Sequence, residues 1–223
     1  MKNDKLIYGR GWSQHVIDAV TGKNLTILDV GCGAGGTGQK LEELGHKVYG
    51  LDLCPTSVKE AAGKITEARA VNLDQSQELP FDKKYFDRAL FADILEHLYS
   101  PDHALELVRP YLKDGGKIII SIPNVANYAV RFNLLFGRFS SGDSPIIGDP
   151  GHIRFFTLKT ISDLVGRAGY TIESVDCTAG VYLPLGGLHI GGVPVVQRLR
   201  EFISRAWKTM FATQFLIVAR KND

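Results

Sequence analysis

Cysteine is scarce in this chain of 223 residues: only Cys32, Cys54 and Cys177 occur, at unrelated spacings. That excludes a disulfide framework and a cysteine-built metal cluster, and it agrees with a reducing compartment. Net charge is almost absent too, at +2, so no basic surface announces a nucleic-acid partner. No apolar run reaches membrane-spanning length. The opening residues MKNDKLIYGRGWSQ lack the apolar centre of a signal peptide, and the cytoplasm is the expected location. Internal repeats and low-complexity segments are missing as well. What remains is an ordinary globular composition, 44 % hydrophobic and 22 % charged, in a length that fits one α/β unit with a single sizeable core.

Glycine is the residue that is concentrated. Five glycines stand within Gly31–Gly38, directly after the apolar run Leu25-Thr26-Ile27-Leu28 and directly before a helical pattern that starts near Thr37. A strand, a glycine turn and a helix start make a nucleotide-type site, because bare backbone can approach a ligand there and amide N–H groups face it. Gly31, Gly33 and Gly36 satisfy the dinucleotide fingerprint. Asp29, Gly31, Gly33 and Gly35 equally satisfy an acid-led x-G-x-G-x-G pattern, that of methyltransferases using S-adenosylmethionine. Asp29 favours the second template, since a carboxylate repels a neighbouring pyrophosphate and attracts an ammonium or sulfonium centre. Its bland role is to accept hydrogen bonds from loop amides.

A second run, Val48-Tyr49-Gly50-Leu51-Asp52, ends in an acid some 20 residues after the glycine turn begins, where a ribose-binding carboxylate belongs. One carboxylate accepts from both ribose hydroxyls. Asp52 therefore indicates an adenosine without choosing between cofactors; alone, it would be an ordinary turn former.

These motifs, with LPFDKKYFD (79–87), ADILEHL (92–98), LKDGGKIIISIPN (112–124) and GHIRFFT (151–157), occur in one order over residues 25–180. The chain thereby resembles the class I S-adenosylmethionine-dependent methyltransferases, in particular the small domains that modify quinones, glycans and other metabolites. The resemblance implies a Rossmann-like α/β fold: a seven-stranded mixed sheet of order 3-2-1-4-5-7-6, the strand QFLIVARK (214–221) inserted antiparallel, with helices on both faces. It implies S-adenosyl-L-methionine as cofactor and S-adenosyl-L-homocysteine as product. The cofactor residues it indicates are Asp29, Gly31, Cys32, Gly33 and Gly35 in the turn, and Asp52 and Leu53 at the ribose. Asn72, Leu73 and Asp74 would lie along adenine, and Ala92, Asp93 and Ile94 would stand at the end of the fourth strand. Tyr8, Arg10 and Trp12 precede the first strand, in a region that often folds over the cofactor in such proteins; packing the first helix on the sheet is their alternative role.

Further along, helices are expected over 37–45, 56–63, 102–112 and 158–168, the last capped by Thr157, with a short strand at 68–71 and a tight turn at 114–116. The run Lys117–Ile122 is β-branched and continuous, a strand buried on both faces. Residues 124–152 are too long for a plain connection and read as a substrate lid, helical over 126–136. Residues 179–194 form an uncharged glycine-rich loop. An amphipathic helix follows to about 211, with Arg198, Arg200, Arg205 and Lys208 opposite its apolar stripe. Packing on the sheet is its plain role; contact with an anionic membrane surface through 193–211, or dimerisation, are alternatives.

A single domain over 1–223 is expected, transferring a methyl group to an oxygen of a small metabolite or sugar-containing acceptor. His152 at the end of the lid and His97 after the fourth strand are the candidate bases, because histidine titrates near neutrality. Their structural alternatives are pinning the lid and tying a turn. No carboxylate cluster calls for a metal, and none is expected, nor is a nucleic-acid partner; monomer and homodimer both stay open. Rival readings are a nicotinamide-dependent oxidoreductase, a non-catalytic cofactor-binding module, and a methyltransferase for lipid-linked or macromolecular acceptors.

Overall fold

The computed structural model describes residues 11–139, 151–179 and 202–222. Seven strands form one sheet: β1 (Thr26–Val30), β2 (Lys47–Asp52), β3 (Glu67–Ala70), β4 (Phe86–Ala92), β5 (Leu112–Pro123), β6 (Tyr170–Ala179) and β7 (Ala212–Lys221). Their order is β3-β2-β1-β4-β5-β7-β6, as the family resemblance implied. β1 through β5 pair in parallel, whereas β7 lies antiparallel to both β5 and β6.

Both faces of this sheet are covered, which is why its central strands read as unbroken apolar runs. Side chains alternate across a strand. Leu28, Ala89, Phe91, Ile118 and Ile120 pack on one face against Leu105 and Val108 of α4 (Pro101–Val108) and Ile161 and Val165 of α6 (Leu158–Arg167). Ile27, Val48, Leu90 and Ile119 point the other way. They meet Val16 and Ile17 of α1 (Gln14–Ala19), Leu41 of α2 (Gly36–Glu43) and Ala61 of α3 (Pro55–Ala61). Each fully buried branched side chain contributes about 1.5–3 kcal/mol. Thr157 starts α6 with a reciprocal cap: its hydroxyl accepts from the Thr160 amide at 3.2 Å, and the Thr160 hydroxyl accepts from the Thr157 amide at 2.9 Å.

Two elements differ from expectation. The turn expected at 114–116 lies inside β5, where the ladder steps from Phe86↔Leu112 to Arg88↔Lys117. The chain bulges there, with Gly115 at φ +71°, and pairing resumes without breaking the strand. The helix expected over 102–112 ends at Val108 and tightens into a 3-10 turn at Arg109–Tyr111, because Pro110 has no amide hydrogen to continue it.

Within the expected lid, Asn127 caps α5 (Tyr128–Leu135) by accepting from the Ala129 amide at 2.9 Å. The amide groups of Asn124 and Asn127 both donate to the Ala212 carbonyl, at 2.9 and 2.8 Å, which ties the base of the insertion to β7. The rest of the lid, 140–150, the loop 180–194 and the first part of the amphipathic helix lie outside the described residues. Of that helix, residues 202–206 are helical and a short turn, α7 (Lys208–Phe211), leads into β7. Among the described residues no helix is long and apolar enough to cross a membrane.

Candidate active site

The carboxyl ends of β1, β2 and β4 open into a cavity of about 850 Å³. Ligands bind at this edge in open parallel sheets because the crossovers diverge there. The glycine turn forms one wall. Gly31 and Gly35 adopt φ +77° and +78°, conformations that cost a side-chain-bearing residue about 1–2 kcal/mol. A Cβ on Gly31 would stand 2.6 Å from Cγ1 of Ile94 across the cavity wall. Close approach thus requires glycine at Gly31 twice over, by backbone angle and by space.

Asp52 fixes the turn as well as facing the cavity. Its two oxygens accept from the amides of Gly33 and Cys54, each at 2.8 Å. A carboxylate oxygen has two lone pairs, so capacity remains for ligand hydroxyls. Asp29 is 3 % exposed, and its Oδ2 has no hydrogen-bond partner among the described residues. Burial, followed by the charge of Asp52, pushes its carboxyl up to about 7. Burial also pushes up the Cys32 thiol, with the charges of Asp29 and Asp52 adding to it.

Asp93 takes φ +53°, unusual for a residue with a Cβ, and is held there by two donors. Ser121 Oγ and Gln214 Nε2 donate to its Oδ1 at 3.1 and 2.9 Å. Since the Ser121 proton points to Asp93, its oxygen accepts from His15 Nε2 at 2.9 Å. A directed chain therefore runs from α1 through β5 to the tip of β4. Ser13 adds a second tie, its amide donating to Thr37 Oγ1 at 3.1 Å. Together these tie residues 13–15 to β5 and to the start of α2 behind the glycine turn. Burial lowers the His15 pKa and raises that of Asp93.

At the far end stand His97 and His152, with ring centroids 4.8 Å apart. His97 Nδ1 lies 3.0 Å from the Gly151 carbonyl. A carbonyl only accepts, so Nδ1 carries the proton and Nε2 keeps its lone pair in the neutral ring. His152 Nε2 is 3.8 Å from Oε1 of Glu96, a carboxyl group 2 % exposed. The Glu96 carbonyl also accepts from the amides of Ile153 and Arg154, each at 3.0 Å. One residue thus holds the backbone beside His152 and places its carboxyl group near the imidazole. Ligand atoms of Glu96, His97 and His152 all lie within 4.8 Å of one another, close enough to share a proton or a cation.

Of the residues expected from sequence, Asp29, Gly31, Cys32, Gly33, Asp52, Leu53, Ala92, Asp93, Ile94, His97 and His152 converge on the cavity. Gly35, Asn72, Leu73 and Asp74 are not on its wall. Gly35 forms the left-handed N-cap of α2 and Leu73 is buried in the core. Asp74 turns away to accept from the Ser100 amide at 2.8 Å, and Asn72 accepts from the Asp74 amide at 3.1 Å. Reasoning from sequence passed over His15, Thr37 and Cys54, which line the cavity, and Glu96 as the partner of His152. Only a three-dimensional neighbourhood reveals them.

The cavity suits S-adenosylmethionine on two observations: a buried carboxylate oxygen awaiting a donor beside the glycine turn, and a close-approach turn that a Cβ would fill. Such a ligand would meet Asp29 and the turn with its amino-acid end and Asp52 with its ribose.

Known proteins resemble this chain in sequence and in fold. A family model described as a methyltransferase domain matches residues 10–175. A ubiquinone biosynthesis O-methyltransferase of Methylobacterium nodulans is 29 % identical over 167 residues, covering 73 % of this chain and 66 % of the relative. The chain thus spans slightly less than two thirds of that relative's length. An uncharacterized protein of Methanocaldococcus jannaschii is 29 % identical over 212 residues, 87 % of this chain and 75 % of the relative. In fold, a SAM-dependent methyltransferase from Archaeoglobus fulgidus superposes with a TM-score of 0.62 at 19 % identity, covering 93 % of this chain and 90 % of that one. With well over half of its length matched by the methyltransferase-domain model, the chain belongs to that family, whose methyl donor is S-adenosylmethionine.

Proposed function

We propose that the protein methylates an oxygen of a small hydroxylated acceptor, with His152 as general base and Glu96 as its positioning partner. The observation that carries this reading is the His152–Glu96 contact of 3.8 Å on the wall of the cavity. The name of the Methylobacterium relative, an O-methyltransferase of ubiquinone biosynthesis, supports an oxygen acceptor.

The cofactor, when bound, supplies an electrophilic methyl carbon on a sulfonium leaving group. The chain supplies alignment and proton removal. Asp29, the turn at Gly31 and Gly33, and Asp52 fix the donor end. Ala92, Asp93 and Ile94 form the wall between donor and acceptor. Holding reactants in line converts an encounter into a positioned reaction, worth several kcal/mol of barrier. A neutral His152 accepts the acceptor's hydroxyl proton as the new carbon–oxygen bond forms, and buried Glu96 favours the resulting imidazolium. Glu96 also keeps the ring oriented, since residues 153 and 154 hang from its carbonyl.

Release of S-adenosylhomocysteine with a panel of phenols, catechols and sugar alcohols tests this. Turnover that His152→Ala abolishes while cofactor affinity stays unchanged supports the assignment. Methylation confined to nitrogen or carbon acceptors, or full turnover in the His152→Ala variant, contradicts it.

A further inference from the structure

Large apolar side chains stand in solvent along α5 and the residues after it. Leu135 is 80 % exposed, Phe136 63 % and Phe132 55 %. Tyr128, Phe132 and Phe136 recur at steps of four and share one helical stripe. Ring contacts hold the stripe together, and a separate pair stands beyond its end. Phe132 meets Phe136 at 5.0 Å, and Phe139 meets Phe155 at 5.3 Å. At the other end Tyr128 meets Phe211 at 5.7 Å, and Phe211 meets Trp207, itself 59 % exposed, at 6.0 Å. With Tyr128 and Phe211 half-buried between them, the exposed side chains from Phe132 to Phe139, Phe155 and Trp207 are too many to be scattered surface apolarity and mark an interaction surface.

The charge on this surface says what it meets. Residues 124–139 and 151–157 contain no aspartate or glutamate, but they do contain Arg131, Arg138 and Arg154, all exposed. None of the three is ion-paired among the described residues. Arg131 Nε and Arg154 Nη2 donate instead to the carbonyls of Ala126 and Tyr99, at 2.6 Å each. Aromatic and leucine side chains rimmed by guanidinium groups without an ion pair among the described residues suit the boundary between anionic headgroups and acyl chains, where rings sink in and cations stay at headgroup level. The surface ends beside His152, at the rim of the cavity.

We infer that α5, residues 136–139 and residues 153–155 form a docking surface for an anionic lipid bilayer, on which the protein lies without spanning it. This inference does not rest on the proposed methylation, and its readout is independent of turnover.

The test is co-sedimentation of the full chain with phosphatidylcholine vesicles, with and without roughly 30 % phosphatidylglycerol. Binding should be at least about tenfold tighter with the anionic lipid and should collapse in about 0.5 M salt, where screening removes the attraction. A Phe132→Ser, Leu135→Ser, Phe136→Ser variant should lose at least about tenfold in affinity. An Arg131→Gln, Arg138→Gln, Arg154→Gln variant should lose roughly hundredfold, at about fivefold per cation. Each variant should melt cooperatively and keep the parent's S-adenosylhomocysteine affinity; if a variant unfolds, the lipid and salt comparisons on the unaltered chain still decide. The inference is overturned by no vesicle binding, by binding indifferent to phosphatidylglycerol and salt, or by folded variants that bind like the parent. A parent that dimerises through this face and ignores vesicles overturns it too, assigning the surface to a second copy, as does one that binds only a protein partner there.

Discussion

Replacing Asp29 by asparagine should stabilise the protein without its ligand, and the gain should grow with pH. Asp29 is only 3 % exposed, and its carboxyl is raised from an ordinary 3.8 to about 7, by burial first and the charge of Asp52 second. A raised value means that the fold favours the protonated form. The contribution of this group to stability is therefore fully present below 3.8 and is lost as pH rises through about 7. At 1.36 kcal/mol per pH unit, the folded protein gives up about 4 kcal/mol once both states are ionised. Asparagine keeps the shape and removes the charge. The advantage of Asp29→Asn over the parent should thus widen by about 2–3 kcal/mol between pH 5 and pH 8. Urea denaturation at the two pH values measures it. Asp93 and His15 titrate as well, in opposite senses, but both are present in parent and variant and cancel in the difference. An advantage of the same size at both pH values would refute the reasoning. The same carboxylate gives the ligand its pH dependence: an ammonium placed beside Asp29 restores its charge, so binding near pH 6 should release a proton in the parent and none in the variant.

Asp52→Ala should weaken S-adenosylhomocysteine binding by about 1–3 kcal/mol, the scale of hydrogen bonds to a charged group; unchanged affinity by calorimetry would place the ribose elsewhere. Glu96→Gln should lower turnover and shift the acidic limb of its pH profile while leaving cofactor affinity intact, because the imidazolium of His152 loses its counter-charge. A chelator should leave turnover unaltered; loss restored by a divalent cation would reassign Glu96, His97 and His152 to a metal. Gly31→Ala should cost about 2–4 kcal/mol, from left-handed backbone strain plus the clash with Ile94; an unchanged urea midpoint would contradict the tightness of that contact.

The fold was legible because its signals are local and repeated. The run Lys117–Ile122 can only be a strand buried on both sides, and Gly31 to Gly35 can only be a close-approach turn between Ile27-Leu28 and the helix behind it. The antiparallel placement of β7 is not a local signal; only the resemblance to the methyltransferase family implied it. The bulge in β5 escaped because Asp114-Gly115-Gly116 is equally good turn chemistry, and only pairing with Phe86 and Arg88 carries the strand through. In the site, Asp29 and Asp52 were readable from their spacing to the glycines. Glu96 was not: its place beside His152 depends on Ile153 and Arg154 returning more than fifty positions later to hang from its carbonyl. His15 escaped for the same reason, since its partner Ser121 is 106 residues away. Asn72 and Asp74 show the converse. Both have suitable chemistry for adenine, yet the loop turns Asp74 to the start of α4.

The central claim is that the acid-led glycine turn and Asp52 hold an adenosyl sulfur cofactor in the cavity at the carboxyl ends of β1, β2 and β4. Calorimetric titration of the purified chain with S-adenosylhomocysteine, and separately with NADH, tests it most directly. The account predicts one saturable site for S-adenosylhomocysteine, weakened by Asp52→Ala, and no binding of NADH. Saturable NADH binding with no response to S-adenosylhomocysteine would contradict it.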